Sequence, residues 1–264
     1  MNIASSDLRR DSREPLKWAF CPELRLPLPT SQSCCLTPER PPLRPDPSIY
    51  SQERLFALGQ PLSWDSPDIT TNLAGGIDEN VVVSVENLSA DSGAAGVDVR
   101  VDISAFGIGL PRKPLGFKRI DLGKAGAAAS RVNVPFFVSP SDRDDERLCA
   151  VFVEIQHSSD RDSSNNRGEQ AWSASRAVAG AQASFSFPIA NRLVGTQSFS
   201  LAVLESAWSA TLSATAVTLL PGQSMNVNLT VAVPAGFAGN RAFNVVARQS
   251  DGGLYGGVFH RFDV

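Results

Sequence analysis

The chain has 264 residues, 42% of them hydrophobic, and a formal net charge of −3. That length holds about two domains with real cores, which excludes global disorder. The charge offers no basic face for nucleic acid, and only His157 and His260 are available for metal or acid–base chemistry.

The N-terminus, Met1 to Arg13, carries Asp7, Arg9, Arg10, Asp11 and Arg13, and no apolar segment of a secretory signal follows it. No apolar run reaches the ~18 residues of a membrane-spanning helix. The four cysteines, Cys21, Cys34, Cys35 and Cys149, lack the dense, even spacing of a secreted disulfide scaffold. The expectation is synthesis in a reducing compartment, with export by a signal-free route left open. Residues 1–47 hold nine of the 18 prolines. Proline fixes φ and removes a donor, so this segment predicts a proline-rich arm, extended or disordered. It is either a flexible tail or an arm that orders on a partner. Leu16, Trp18, Phe20, Leu24, Leu26 and Leu28 favour the second, because a mere linker has little use for so much apolar surface. Residues 48–59 predict a short helix or linker, capped by Ser48 or Ser51 and stopped at Gly59.

From there one layout occurs twice. It opens with Val81-Val82-Val83-Ser84-Val85-Glu86-Asn87 and again with Phe185-Ser186-Phe187-Pro188-Ile189-Ala190-Asn191. Each copy runs to a second strand, then to a turn ending at Gly123 or Gly222, then to a strand closing on Val134-Pro135 or Val233-Pro234. Val97, Val99, Val101 and Ile103 alternate with Asp98, Arg100 and Asp102. Met225, Val227, Leu229, Val231 and Val233 alternate in the same way with Asn226, Asn228 and Thr230. Period-two alternation means half-buried strands. Short strands joined by Gly and Pro turns predict an all-β chain: two tandem Ig-like antiparallel β-sandwiches, over 60–178 and 182–264, behind the arm.

No catalytic, cofactor-binding or metal-binding set stands out. Asp142 to Arg147 is acidic, but Arg143 and Arg147 neutralise it, so a self-paired loop is favoured over calcium. Asp160, Asp162, Ser164 and Asn166 offer oxygens at alternate positions, yet Asn165 stands where a calcium loop needs glycine. Cys21 with Cys34-Cys35 matches no paired zinc spacing. A Ser-His-Asp set would have to use His157 or His260, and no Gly-x-Ser-x-Gly elbow exists. Gly252 to Gly257 reads as a hairpin turn rather than a phosphate loop. Trp64, Trp172 and Trp208 could form a sugar-stacking platform, but a tryptophan in a sandwich is more often core or corner; of the three, Trp208 is the best placed for a surface role.

Residues 62–170 resemble the bacterial CARDB-like Ig domains. The resemblance rests on Trp64-Asp65-Ser66-Pro67-Asp68-Ile69, Val83 to Asn87, the Cys149-bearing late strand from Leu148 to Ile155, and Asn165-Asn166. Residues 185–250 are similar to the Ig-like domain associated with bacterial α-galactosidases, through Trp208, Leu219 to Ser224 and Val231 to Pro234. These resemblances imply accessory, adhesive or scaffold roles and no shared catalytic set. The expected function is a non-enzymatic structural or protein-interaction component of a larger bacterial assembly. Its partner would be a protein held by the arm or an exposed strand edge, with a carbohydrate-binding module and a glycan partner as the alternative.

Overall fold

The computed structural model of the protein describes residues 43–72, 80–139, 149–204 and 208–264. Most of the expected arm, with Cys21, Cys34 and Cys35, and the Asp142–Arg147 run lie outside the described residues. The described chain is almost entirely β, arranged in four sheets. Its one α-helix, α1 (Gln52–Ala57), starts at Ser51, whose side chain accepts from the Arg54 amide, as the capping pattern predicts. No described helix is long and apolar enough to cross a membrane.

In the first sheet, β3 (Asn80–Asn87) pairs with β1 (Pro47–Ser48) and β2 (Ile69–Asn72) at its opposite ends, and with β6 (Arg131–Phe137) along its length. The second sheet runs β5 (Lys113–Leu122), β4 (Ala94–Ala105), β7 (Cys149–Gln156), β8 (Arg167–Gln170). The third runs β10 (Gln182–Ala190), β14 (Ser224–Ala232), β12 (Ala210–Leu212). The fourth runs β13 (Ala216–Leu219), β11 (Gln197–Val203), β15 (Asn240–Gln249), β16 (Leu254–Asp263), β9 (Trp172–Arg176). All pairings within these sheets are antiparallel except β9 with β16, which is parallel.

The first two sheets enclose one core and the last two another. Val97, Val99, Val101 and Ile103 are all buried, as the alternation of β4 predicts. Val227, Leu229 and Val231 of β14 are buried too, but Met225 at the sheet's end is 37% exposed. The Val-Pro stop holds only in the second copy. There β14 ends at Ala232, whereas β6 runs through Pro135 to Phe137. Among the described residues β6 pairs only with β3, so Pro135 sits on an edge strand there, where a missing donor is tolerated.

The two halves are joined by more than a linker. β7 is buried on both faces: Val151, Val153 and Ile155 enter the first core, while Ala150 and Phe152 enter the second. β9 lies within the span expected for the first sandwich, yet it completes the fourth sheet, with Trp172 opposite Phe259 and Arg176 opposite Asp263. Trp64 is also in the second core, fully buried. Its amide donates to Asn244 Oδ1 (3.1 Å) and its carbonyl accepts from the Ala171 amide (2.9 Å). Its ring lies so close to β16 that a Cβ on Gly257 would fall 2.6 Å from three ring atoms. The segment Gly107-Ile108-Gly109 then laces onto β10. The Ile108 amide donates to the Pro188 carbonyl and the Ile108 carbonyl accepts from the Ala190 amide, both at 2.9 Å. Residues 42–264 accordingly form one compact unit.

The repeated layout has a shared internal bracket. Asn87, at the end of β3, is fully buried. Its Nδ2 donates to the Ser92 and Gly123 carbonyls, and its Oδ1 accepts from the Asp46 and Ser89 amides. Asn191, just after β10, is buried as completely. Its Nδ2 donates to the Gly195 and Leu219 carbonyls, and its Oδ1 accepts from the Leu193 amide. Each amide thus ties a strand end to the turn that the layout places later in the chain. A buried amide is retained only when its hydrogen bonds are satisfied.

Gly109 has φ +68°, and a Cβ there would run into the Tyr255 hydroxyl and the Ala190 carbonyl. Gly109→Ala should therefore lower stability by about 2–4 kcal/mol in urea denaturation. A loss under about 0.5 kcal/mol would show that this junction relaxes freely.

Candidate functional site: a charged cleft at the junction

The junction opens into a cleft of about 420 Å³. β4 contributes Arg100 and Asp102, the connection after it Arg112, and β7 Phe152 and Glu154. β8 contributes Arg167, Gly168 and Glu169, and α1 contributes Gln52 and Glu53. From the second half come Arg192, which follows β10, and Leu254 to Gly256 at the start of β16.

Gln52 sets the floor. Its side chain is buried, and its Nε2 donates to the Glu169 and Ser63 carbonyls at 2.6 and 2.9 Å. Its Oε1 accepts from the Glu169 amide at 3.0 Å. This two-way grip on the backbone of residue 169 fixes where the Glu169 side chain starts. Glu169 keeps partial contact with the cleft, yet burial dominates and pushes its carboxyl up to about 7. Arg112 and Arg192 pull against that shift, and Glu53 adds to it. The Trp64 indole N–H is near enough to favour the ionised form without closing a hydrogen bond, since Nε1 has no partner in bonding geometry.

Both nearby arginines are held by aromatic faces. The Arg112 guanidinium lies 3.6 Å over the Phe152 ring, and Arg192 lies 5.6 Å over Tyr255. Tyr255 is itself pinned: its hydroxyl donates to the Ala190 carbonyl and accepts from the Arg192 amide. Burial and the like charge of Arg192 hold Arg112 below the usual guanidinium range, opposed by Glu169, Asp102 and Glu53. Among the described residues Arg167 is the cleft arginine held in ion pairs, at 3.8 Å from Glu53 and 3.4 Å from Glu154.

The residues weighed from sequence fall elsewhere. Trp208 is 6% exposed and packs edge-on to Phe237 and at a tilt to Phe243, which fits the core reading and not the surface role for which it was the best placed of the three. Trp64 is buried and Trp172 carries Arg261 over its ring at 5.4 Å, so the three tryptophans do not form one platform. In the 160–166 loop the Asp160 and Asp162 carboxylates accept from Asp162, Ser164 and Asn166 groups within the loop. Among the described residues no cluster with metal-ligand composition occurs. Gly252, at φ +86°, turns β15 into β16, as the hairpin reading predicts.

His157 fastens its own turn, with Nε2 at 3.1 Å from the Ala95 carbonyl and Nδ1 accepting from the Ser159 amide. His260 is buried between two serines of β9, with Nδ1 2.8 Å from Ser173 Oγ and Nε2 2.9 Å from Ser175 Oγ. Ser173 Oγ also lies 3.3 Å from the Phe259 carbonyl, so both ring nitrogens of His260 are satisfied by serine hydroxyls. The ring stacks on Phe185 at 3.7 Å. Burial lowers its pKa to about 4, with Asp263 opposing.

Two pH effects follow, with opposite signs. The folded state binds the Glu169 proton more tightly than the unfolded chain does, so this group's contribution to stability falls as pH rises from 4.5 to about 7. Glu169→Gln should be more stable than the wild type by on the order of 2 kcal/mol at about pH 8, with the gain vanishing toward about pH 4.5. A gain that ignores pH would overturn this. For His260 the unfolded chain takes the proton first, so stability is full above 6.5 and is lost as pH falls toward about 4. His260→Gln should remove up to about 3 kcal/mol of that acid loss, read as a flatter melting-temperature profile. An unchanged profile would mean that His260 is not the group responsible.

No family model and no curated protein matches the chain. Among solved structures, a C. elegans member of the MSP family aligns at 6% identity and TM-score 0.27, covering 34% of this chain and 91% of that one. The E. coli alpha-2-macroglobulin activated by porcine elastase aligns at 10% identity and TM-score 0.27, covering 83% of this chain but 22% of that one. A Porphyromonas gingivalis protein of unknown function aligns at 11% identity and TM-score 0.27, over 74% of this chain and 96% of that one. All three superpositions are loose, and none carries a role across.

Proposed function

We propose that the chain is a non-enzymatic structural or protein-interaction component of a larger bacterial assembly. In this reading it consists of two tandem Ig-like sandwiches behind a proline-rich arm. The first is of the CARDB-like kind, and the second is like the domain associated with α-galactosidases. The observation that supports a docking role is the outer edge of the second sheet. β5 is ten residues long and, among the described residues, pairs with β4 alone. Phe117 in its middle is 51% exposed and is followed by Lys118 and Arg119. Edge strands are normally blunted by charge, proline or bulges. Here Pro114 and a register shift between Val101 and Asp102 guard one end and a second shift between Ala94 and Val97 the other, which leaves the central Phe117 stretch as the strand template. Addition of a partner strand is the recognition mode that such an edge suits.

The first described residues are fixed to the body. The Pro45 carbonyl accepts from the Arg161 amide and the Asp46 carbonyl from the Leu88 amide, at 2.8 and 2.9 Å. Removing residues 1–42 should therefore spare these anchors. Affinity purification from the native host should capture a defined partner with the full chain. Deletion of 1–42, or Phe117→Lys, should cut that capture at least about tenfold while moving the melting temperature by less than about 2 °C. Undiminished capture by both variants would sink the proposal.

A further inference from the structure

The junction cleft is lined by four arginines and four acidic residues, and among the described residues the ion pairs within this set all involve Arg167. Arg167 is paired with Glu53 and Glu154. That leaves Arg100, Arg112 and Arg192 facing Asp102 and Glu169, and among the described residues none of these five makes an ion pair. Arg112 and Arg192 are close enough for each to feel the other's charge. Glu169, Asp102 and Glu53 oppose that repulsion, and the share supplied by Glu169 is lost when its carboxyl is protonated. Their faces are already occupied, by Phe152 and Tyr255. A guanidinium held by its face still presents its N–H donors in the plane, which is the geometry that grips a planar oxyanion with two hydrogen bonds.

We propose that this cleft binds a small organic oxyanion, a carboxylate or a phosphate, gripped by the in-plane N–H donors of Arg112 and Arg192 above the Glu169 floor. The volume exceeds what a bare ion needs and suits a ligand of a few carbon atoms. The aromatic rings are spent on the arginines, so the ligand is recognised through its charge and hydroxyls rather than by stacking. The Glu169 carboxyl, facing Arg112, Arg192, Glu53 and the Trp64 indole, completes the site when protonated. It then donates an O–H to the anion, whereas the ionised carboxylate repels it. Binding therefore takes up a proton as pH falls from about 8 to about 6. Ligand binding here needs no protein partner, so its test stands or falls independently of the docking role proposed above.

Isothermal titration calorimetry on the full chain tests it, with glucuronate, citrate and inorganic phosphate as anions and glucose as the neutral control. At least one anion should bind and glucose should not. A carboxylate-only response identifies the ligand class as an organic acid, and a phosphate-only response identifies it as a phosphate ester. Affinity should rise several-fold from about pH 8 to about pH 6. Glu169→Gln, which keeps a donor without the charge, should bind with little pH dependence. Arg112→Gln and Arg192→Gln should each weaken binding at least about tenfold. Arg112→Lys keeps the charge but loses the paired donors, and should bind less well than the wild type. Melting temperatures separate lost binding from lost folding. Silence with all three anions, equal binding of glucose, or arginine variants that are folded and bind like the wild type would overturn the site.

Discussion

Everything at the centre of this molecule depends on one close approach, the Trp64 indole lying flat on the backbone of β16 at Gly257. A tryptophan buried to this degree contributes on the order of 3–5 kcal/mol relative to alanine. The contact exists only because residue 257 lacks a side chain. Trp64 comes from the segment that leads into the first half, and β16 closes the fourth sheet. The contact therefore converts two stacked cores into one body. The parallel pairing of β9 and the lacing of Ile108 onto β10 follow the same seam. The cleft lies along it, with walls from both halves whose spacing the seam fixes. Its charged groups are thus held in place before any ligand arrives, which lowers the cost of ordering them on binding.

A second constraint repeats in each half. Asn87 and Asn191 carry out the same task with the same atoms: an amide nitrogen bridges two carbonyls of separate turns, and the amide oxygen caps a local N–H. Asparagine suits this position because it offers two donors and an acceptor in one plane. Aspartate would bring acceptors to carbonyls that need donors. The two copies of the layout share little surface sequence, yet both keep this residue where the strand ends.

Much of the fold was legible in the chain. The alternation in β4 and β14 announces half-buried strands, and Ser51 announces the helix start. The all-β class follows from such patterns, since period and turn chemistry are local signals. What was not legible is the seam. The uninterrupted apolar run from Cys149 to Val153 carries a hint, because a strand buried on both faces loses its alternation. β9 gives no such hint: Trp172 to Arg176 is polar and short, and only its partner strand tells which half it serves. For Trp208 the general preference of tryptophan for core or corner was the only signal, as the core it fills is made by Phe237 and Phe243 much later in sequence. The cleft was invisible. Gln52, Arg112, Glu169, Arg192 and Tyr255 have no spacing that joins them, and their chemistry appears only when α1, β8, β10 and β16 meet.

The parallel strand at the edge of the fourth sheet also bears on how the chain must be made. On a ribosome β9 emerges well before β16, its only described partner, and Trp64 emerges earlier still. Both must wait, β9 with its backbone unpaired and Trp64 with its apolar ring uncovered, until the last described strand is synthesised. Connections of such long range are slow to close and leave a growing chain open to wrong partners. The late strand therefore acts as a latch for both halves. Premature termination before Leu254 would leave even the distant first half with an unsealed face, and quality-control proteases would meet the whole polypeptide rather than one spoiled module.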